Sequence, residues 1–365
     1  MLQEVEQFRE DMLIRLYYIQ LVMSLTPKGH GSLIDKSVKQ AIIDLGDFLK
    51  NCSDQELDMK RDSINELLVN LYNNYKQYFK PKKGMKRIGL EFNELFKSNQ
   101  DLYLIGIEYG WLDERLDFLI PLPENLPYHT KIGIGHHAYC INIEEEFLIR
   151  DAFFMLVNAE KIYKRMHLLA SKYKTEDLDI DSDEERELFS NFNQTISTYS
   201  RLGLLSFYSF IEAFINSVGY DYALRNKNHL TDSEREILLG KKKGSYISLE
   251  YKIEKYQEII RDDKKSIIKT LDMNQMKEPF LTLLTQIKGV RDSSVHYSPV
   301  KEKIWNKPDE WISKIKITSQ LSVEAAIQFW NACYPQKELP EYLHKLNYEK
   351  HYSIAERRLS MISDS

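Results

Sequence analysis

Between positions 204 and 224 the chain reads LLSFYSFIEAFINSVGYDYAL, where Leu204, Phe207, Ile211, Phe214 or Ile215, Val218 and Tyr222 return every three or four residues. That spacing marks an α-helix with one face in a core; a half-buried strand would alternate at every second residue. Beside the stripe, Ser209, Glu212 and Asn216 stand at i, i+3 and i+7 of one face. A carboxylate set in so apolar a helix needs a partner, because burying its charge alone is costly.

The same periodicity runs through most of the chain. Helices are expected over 1–25, over 33–49 with Ile34, Val38, Ile42 and Leu45 on one face, and over 54–79 with Ser53 or Asp54 as cap. KPKKGMKR, from Lys80 to Arg87, reads as a solvated loop. From 101 to 143 the glycines and alternation of DLYLIGIEYGW and KIGIGHHAYCINI allow one small hairpin, with LDERLDFL helical between them. Helical spacing resumes over 143–173, and the acidic stretch TEDLDIDSDEERE then lacks any apolar period. Further helices are expected at 193–225, 231–239, 248–262, 266–271, 278–293 and 319–330.

The expected fold class is therefore mainly α. At 365 residues the chain exceeds the roughly 100 to 200 of one domain. With the acidic stretch as boundary, residues 1–190 form a mostly helical sensing or regulatory domain, 191–335 a helical bundle, and 336–365 a helical tail. The content of 14 Gly and 10 Pro excludes collagen-like and low-complexity classes. Three dispersed cysteines, Cys52, Cys140 and Cys333, cannot build a disulfide framework and fit a reducing compartment. Charged residues from Glu4 to Arg15 interrupt the apolar core a signal peptide needs, and no run approaches about 18 apolar residues. A cytoplasmic protein with no membrane partner is expected.

Charge is uneven: residues 193–335 carry 21 Lys and Arg against 17 Asp and Glu, whereas those before 193 carry 24 against 33. The later region is the better polyanion binder. No GxxxxGK[ST], HExxH, GxSxG or GxGxxG occurs, so the familiar nucleotide-hydrolysing and metalloprotease classes lose support. His136, His137 and Cys140 offer zinc-type donors, but no second ligand pair stands at a standard spacing. No metal or other cofactor is expected.

The segment KGVRDSSVHYSP, from Lys288 to Pro299, follows the apolar run PFLTLLTQI. Arg291 and His296 are five residues apart, which on an unbroken helix turns their side chains apart by about 140°. They converge if the helix ends between them, and Ser293, Ser294 and Pro299 favour such an ending. Arg291 is the economical partner for Glu212.

On these residues the region from about 193 to 335 resembles the HEPN family (higher eukaryotes and prokaryotes nucleotide-binding domains). Its ribonuclease members are helical bundles carrying Arg, four to six residues, then His, usually with Asn, Asp or His directly after the Arg. Arg291, Asp292 and His296 match that pattern; Glu212 in FIEAFIN matches an acidic position of many active members, and Asn216 a polar position that often follows it. The resemblance implies a metal-independent endoribonuclease with Arg291, His296 and Glu212 catalytic and Asp292 and Asn216 supporting. It implies a homodimer acting on RNA, a role in defence or as a toxin, and an antitoxin or other regulatory protein as possible partner. Chemically, His296 serves as base or acid, Arg291 steadies the phosphate oxygens, and Glu212 orients Arg291 or the imidazole. Lys241, Lys242, Lys243 and Tyr246 in GKKKGSY are placed to guide RNA, or form an ordinary surface loop. The competing class is a non-enzymatic interaction or nucleotide-binding module in which Glu212 and Arg291 make a structural ion pair and His296 caps a helix.

Overall fold

The computed structural model describes residues 2–26, 36–99, 106–133, 141–175, 182–296, 306–344 and 348–363. The protein is mainly α-helical and divides into two compact units, Met1–Ile143 and Glu144–Ser365.

In the first unit, α1 (Leu2–Leu25) is followed by α2 (Lys36–Asn51), α3 (Asp54–Met59), α4 (Arg61–Tyr75), β1 (Phe79–Pro81), α5 (Met85–Ser98), β2 (Ile107–Glu108), α6 (Tyr109–Asp113), β3 (Leu116–Phe118), β4 (Lys131–Ile132) and β5 (Ile141–Asn142). α1 is the hub, with Met12, Leu16, Ile19 and Val22 buried against α2, α4 and α5. Gly89 lets α5 approach α1 closely, since a Cβ there would lie 2.1 Å from the carbonyl oxygen of Ile14.

Ser53 caps α3 in a reciprocal capping box with Glu56. The helix expected over 54–79 breaks at Lys60, whose ψ of 9° leaves the helical region, and ends at Tyr75. Phe79 instead begins β1, pairing with Phe118 of β3, so part of the expected 80–87 loop is strand and its last residues open α5. In place of one hairpin there are two small antiparallel sheets, β1–β3 and β2–β4–β5. LDERLDFL is helical only at its start; Leu116–Phe118 is strand.

The second unit comprises α7 (Glu144–Thr175), α8 (Asp183–Arg225), α9 (Asp232–Leu238), β6 (Lys241–Lys242), β7 (Ser245–Tyr246), α10 (Leu249–Ile260), α11 (Phe280–Thr282), a π-helical turn (Leu283–Ile287), α12 (Lys288–Val295), α13 (Pro308–Cys333), α14 (Glu341–His344) and α15 (Tyr348–Ser363). The boundary expected near residue 190 falls inside this unit. α7 packs along α8, where Phe153 meets Phe207 edge-on at 5.2 Å, so the acidic stretch joins two helices of one core. In the expected 336–365 tail, α15 likewise packs on α7, with Tyr352 donating to the buried carboxylate of Glu160, which also pairs with Lys316 of α13.

α8 starts ten residues before the expected 193, because Ser182 and Glu185 form a capping box that stabilises the polar first turns. Leu204, Phe207, Ile211, Phe214 and Val218 are all buried, each worth about 1.5 to 3 kcal/mol of transfer free energy. α8 alone among the described residues is long and apolar enough to cross a membrane, and 56% of that window is buried within the protein. Phe214 packs on Phe329 of α13, a helix that starts at Pro308 rather than near 319.

The helix expected at 266–271 does not form. Gln257 Oε1 accepts from the backbone N–H groups of Ile267 and Ile268, both at 2.9 Å. Glu254 Oε2 accepts from those of Thr270 and Leu271, at 3.0 and 3.1 Å. These side chains of α10 are buried, and they satisfy the segment's donors in a non-helical path.

Candidate active site

The site is built where α12 and α10 meet α8. Arg291 Nη2 donates to Glu212 Oε2 at 2.9 Å, and Nη1 donates to Asp292 Oδ1 at 2.8 Å. The guanidinium also lies over the ring of buried Tyr208, 5.3 Å from its centroid. Its other N–H donors meet no acceptor among the described residues. Burial works against the charge on Arg291, but the Asp292 hydrogen bond and the charges of Glu212 and Asp292 outweigh it, so its pKa is raised. Glu212 stands at the margin of the apolar stripe, half-buried.

The π turn positions Arg291. In it the N–H of Lys288 reaches back five residues to Leu283 O while Leu283, Leu284 and Ile287 stay buried. The wider turn adds a residue to the helical register, so α12 and the side chains it carries are rotated relative to their places on a continuous α-helix.

His296 is the capping residue at the C-terminal end of α12, with φ −127° and ψ 70°, and its N–H bonds Asp292 O at 2.8 Å. The helix thus runs through Val295 and ends at His296 itself, later than the expected break between Arg291 and His296, because the backbone hydrogen bonds continue past Ser293 and Ser294. Its side chain is exposed. Asn216, one turn beyond Glu212, accepts from Lys252 Nζ at 2.9 Å.

Glu212, Asn216 and Tyr208 line a pocket of about 190 Å³ together with Ile247, Ser248, Leu249, Lys252 and Lys288. Lys288 is paired with Glu250, whose carboxyl lies below its ordinary range although burial opposes this, because Lys288 and its hydrogen bonds favour the charged form. Burial holds the Lys252 ammonium below the usual lysine range, with the charge of Glu212 acting in the opposite direction. Lys252 and Glu250 escape sequence reading: in SLEYKIEKYQ they look like the solvated face of an amphipathic helix.

Comparison with family models, curated proteins and solved structures finds no match.

Lys241, Lys242, Lys243 and Tyr246 lie on a β6–β7 hairpin rather than a plain loop, with Lys243 and Gly244 at φ 51° and 79° in its turn. His136, His137 and Cys140 lie outside the described residues. Elsewhere among the described residues no three His, Cys, Asp or Glu side chains gather to hold a metal ion. The site brings together an oriented cation, two carboxylates and a cationic pocket, with an imidazole at the end of the same helix. These are groups suited to phosphate chemistry.

Proposed function

We propose that the second unit is an endoribonuclease of the HEPN type, cutting RNA by attack of the 2′-hydroxyl on the adjacent phosphate without a metal ion. The observation that carries this reading is the Arg291–Glu212 pair, which holds a permanently charged fork beside a pocket, on the helix that His296 terminates.

In the reaction, the imidazole of His296 takes the 2′-hydroxyl proton as the 2′-oxygen bonds to phosphorus. Arg291 stabilises the phosphorane oxygens. A proton passes to the 5′-oxygen as its bond to phosphorus breaks, leaving a 2′,3′-cyclic phosphate and a 5′-hydroxyl. Base and acid together require two imidazoles, while the motif supplies one per chain. The active unit in this reading is therefore a twofold dimer, with His296 of the partner subunit as acid. Such a nuclease suits a defence effector or toxin restrained by an antitoxin or other regulatory protein.

A second reading draws on the same pair. With Glu212 and Asp292 both on Arg291, the guanidinium is also placed as a structural ion pair would be, in a non-enzymatic nucleotide-binding or interaction module. Incubating purified protein with labelled RNA in EDTA, wild type beside His296→Ala, separates the two. Cleavage by wild type alone supports the nuclease; cleavage by neither leaves the binding module or a nuclease held inhibited.

A further inference from the structure

In the pocket beside the Arg291–Glu212 pair, Lys252 is a cation without an ion pair of its own among the described residues. Lys252 is half-buried, and its Nζ donates to the neutral amide oxygen of Asn216 at 2.9 Å. No carboxylate lies within ion-pair distance of it among the described residues. The neighbouring cations are ion-paired, Lys288 with Glu250 and Arg291 with both Glu212 and Asp292. Burial disfavours this ammonium and the charge of Glu212 offsets that only from beyond ion-pair distance, so an anionic ligand in direct contact with it is stabilising.

Other features converge on the same place. Ser248 lines the pocket and caps α10, accepting from the N–H of Tyr251, so the positive end of a twelve-residue helix faces it. Ile247, also in the lining, is preceded directly by Tyr246, which is 83% exposed on the β6–β7 hairpin with Lys241 Nζ 5.7 Å from its ring centroid. Lys242 lies over the ring of Tyr251. An exposed aromatic ring with a lysine on one face leaves the other face for a base. In a duplex the base faces are stacked on one another, so only an unpaired base can use it.

We propose that this pocket seats a backbone phosphate of single-stranded RNA, with Lys252 as the ligand to its oxygens, Lys288 beside it and Tyr246 stacking on the neighbouring unpaired base. The proposal rests on the nuclease reading for the choice of RNA and adds to it the substrate class. Glu212 also lines the pocket, and its charge, held by Arg291, keeps the phosphate on the Lys252 side.

The test is binding of the full-length protein to a fluorescent 2′-O-methyl RNA oligonucleotide, which lacks the attacking hydroxyl, single-stranded and as a duplex, over a range of salt. Lys252→Gln weakens single-strand binding by about tenfold, the equivalent of one charged hydrogen bond. It also lowers the salt slope by about 0.7. Lys252→Arg keeps most of the affinity, and Tyr246→Ala, at a site too exposed to disturb folding, weakens the single strand. Wild-type affinity in both Lys252→Gln and Tyr246→Ala overturns the proposal, as does equal affinity for the duplex. The two readings fail separately. Cleavage of natural RNA with unaltered binding by Lys252→Gln leaves the nuclease and removes the pocket; Lys252-dependent binding without cleavage does the reverse.

Discussion

Arg291 Nη2 lies 2.9 Å from Glu212 Oε2, joining residues 79 positions apart and tying α12 to the core helix α8. Neither side chain is fully buried, at 28% and 32% exposure, so the pair opens onto a pocket rather than closing inside the core. A geometry of this kind orients a cation while leaving it reachable.

Arg291→Ala and His296→Ala are each expected to abolish RNA cleavage while circular dichroism and melting stay near wild type. Losing a group that stabilises transition-state charge costs about 3 to 4 kcal/mol, at least a hundredfold in rate. Loss of helicity alongside loss of activity would assign the residue to structure instead.

Glu212→Gln keeps the shape of the side chain and should slow cleavage less than His296→Ala. Its stability cost is expected at about 1 kcal/mol, well below that of breaking a buried pair, because both partners are partly solvated and Asp292 still holds Arg291. Urea unfolding measures it; unchanged cleavage would remove Glu212 from the site.

Mixing wild-type protein with an excess of His296→Ala should suppress cleavage, because mixed dimers lack one of the two imidazoles. Sedimentation should give twice the 43.2 kDa of one chain. A monomer that cuts RNA contradicts the shared site and requires a second acid within the chain.

Gly219 marks the close approach of α8 and α10. A Cβ there would lie 2.4 Å from the ring of buried Tyr256 and 2.8 Å from Leu238 O, and neither a packed ring nor a carbonyl yields easily. Gly219→Ala should cost about 1 to 3 kcal/mol, read as a lowered urea midpoint. A midpoint at or above the wild-type value would show that α10 can move away.

Glu254 should make stability depend on pH. Burial pushes its carboxyl up, but hydrogen bonds from the Thr270 and Leu271 backbone and from Lys269 outweigh this, leaving its pKa lowered. Its contribution is therefore complete above the unfolded glutamate pKa of about 4.3 and is lost as pH falls through the lower folded value. Glu254→Gln should be less stable than wild type at neutral pH, with the gap closing in acid; a gap independent of pH would contradict this.

The amino-acid sequence by itself determined most of the helices and the starts of those with a local cap, because apolar spacing and caps such as Ser53, Thr231 and Ser248 act within a few residues. It also determined the pairing of Glu212 with Arg291, since charges on apolar helices have few ways to be satisfied. Tertiary structure decided the rest. The segment at 266–271 has helical spacing, yet Gln257 and Glu254 hold its backbone donors in a non-helical path. The acidic stretch looks like a linker, but the helices on either side of it share one core. Lys252 looks like one more solvated lysine, and only the approach of α10 to α8 brings it beside Asn216 and Glu212. In each case the deciding partner lies outside the local window, where sequence spacing carries no information about which surfaces meet.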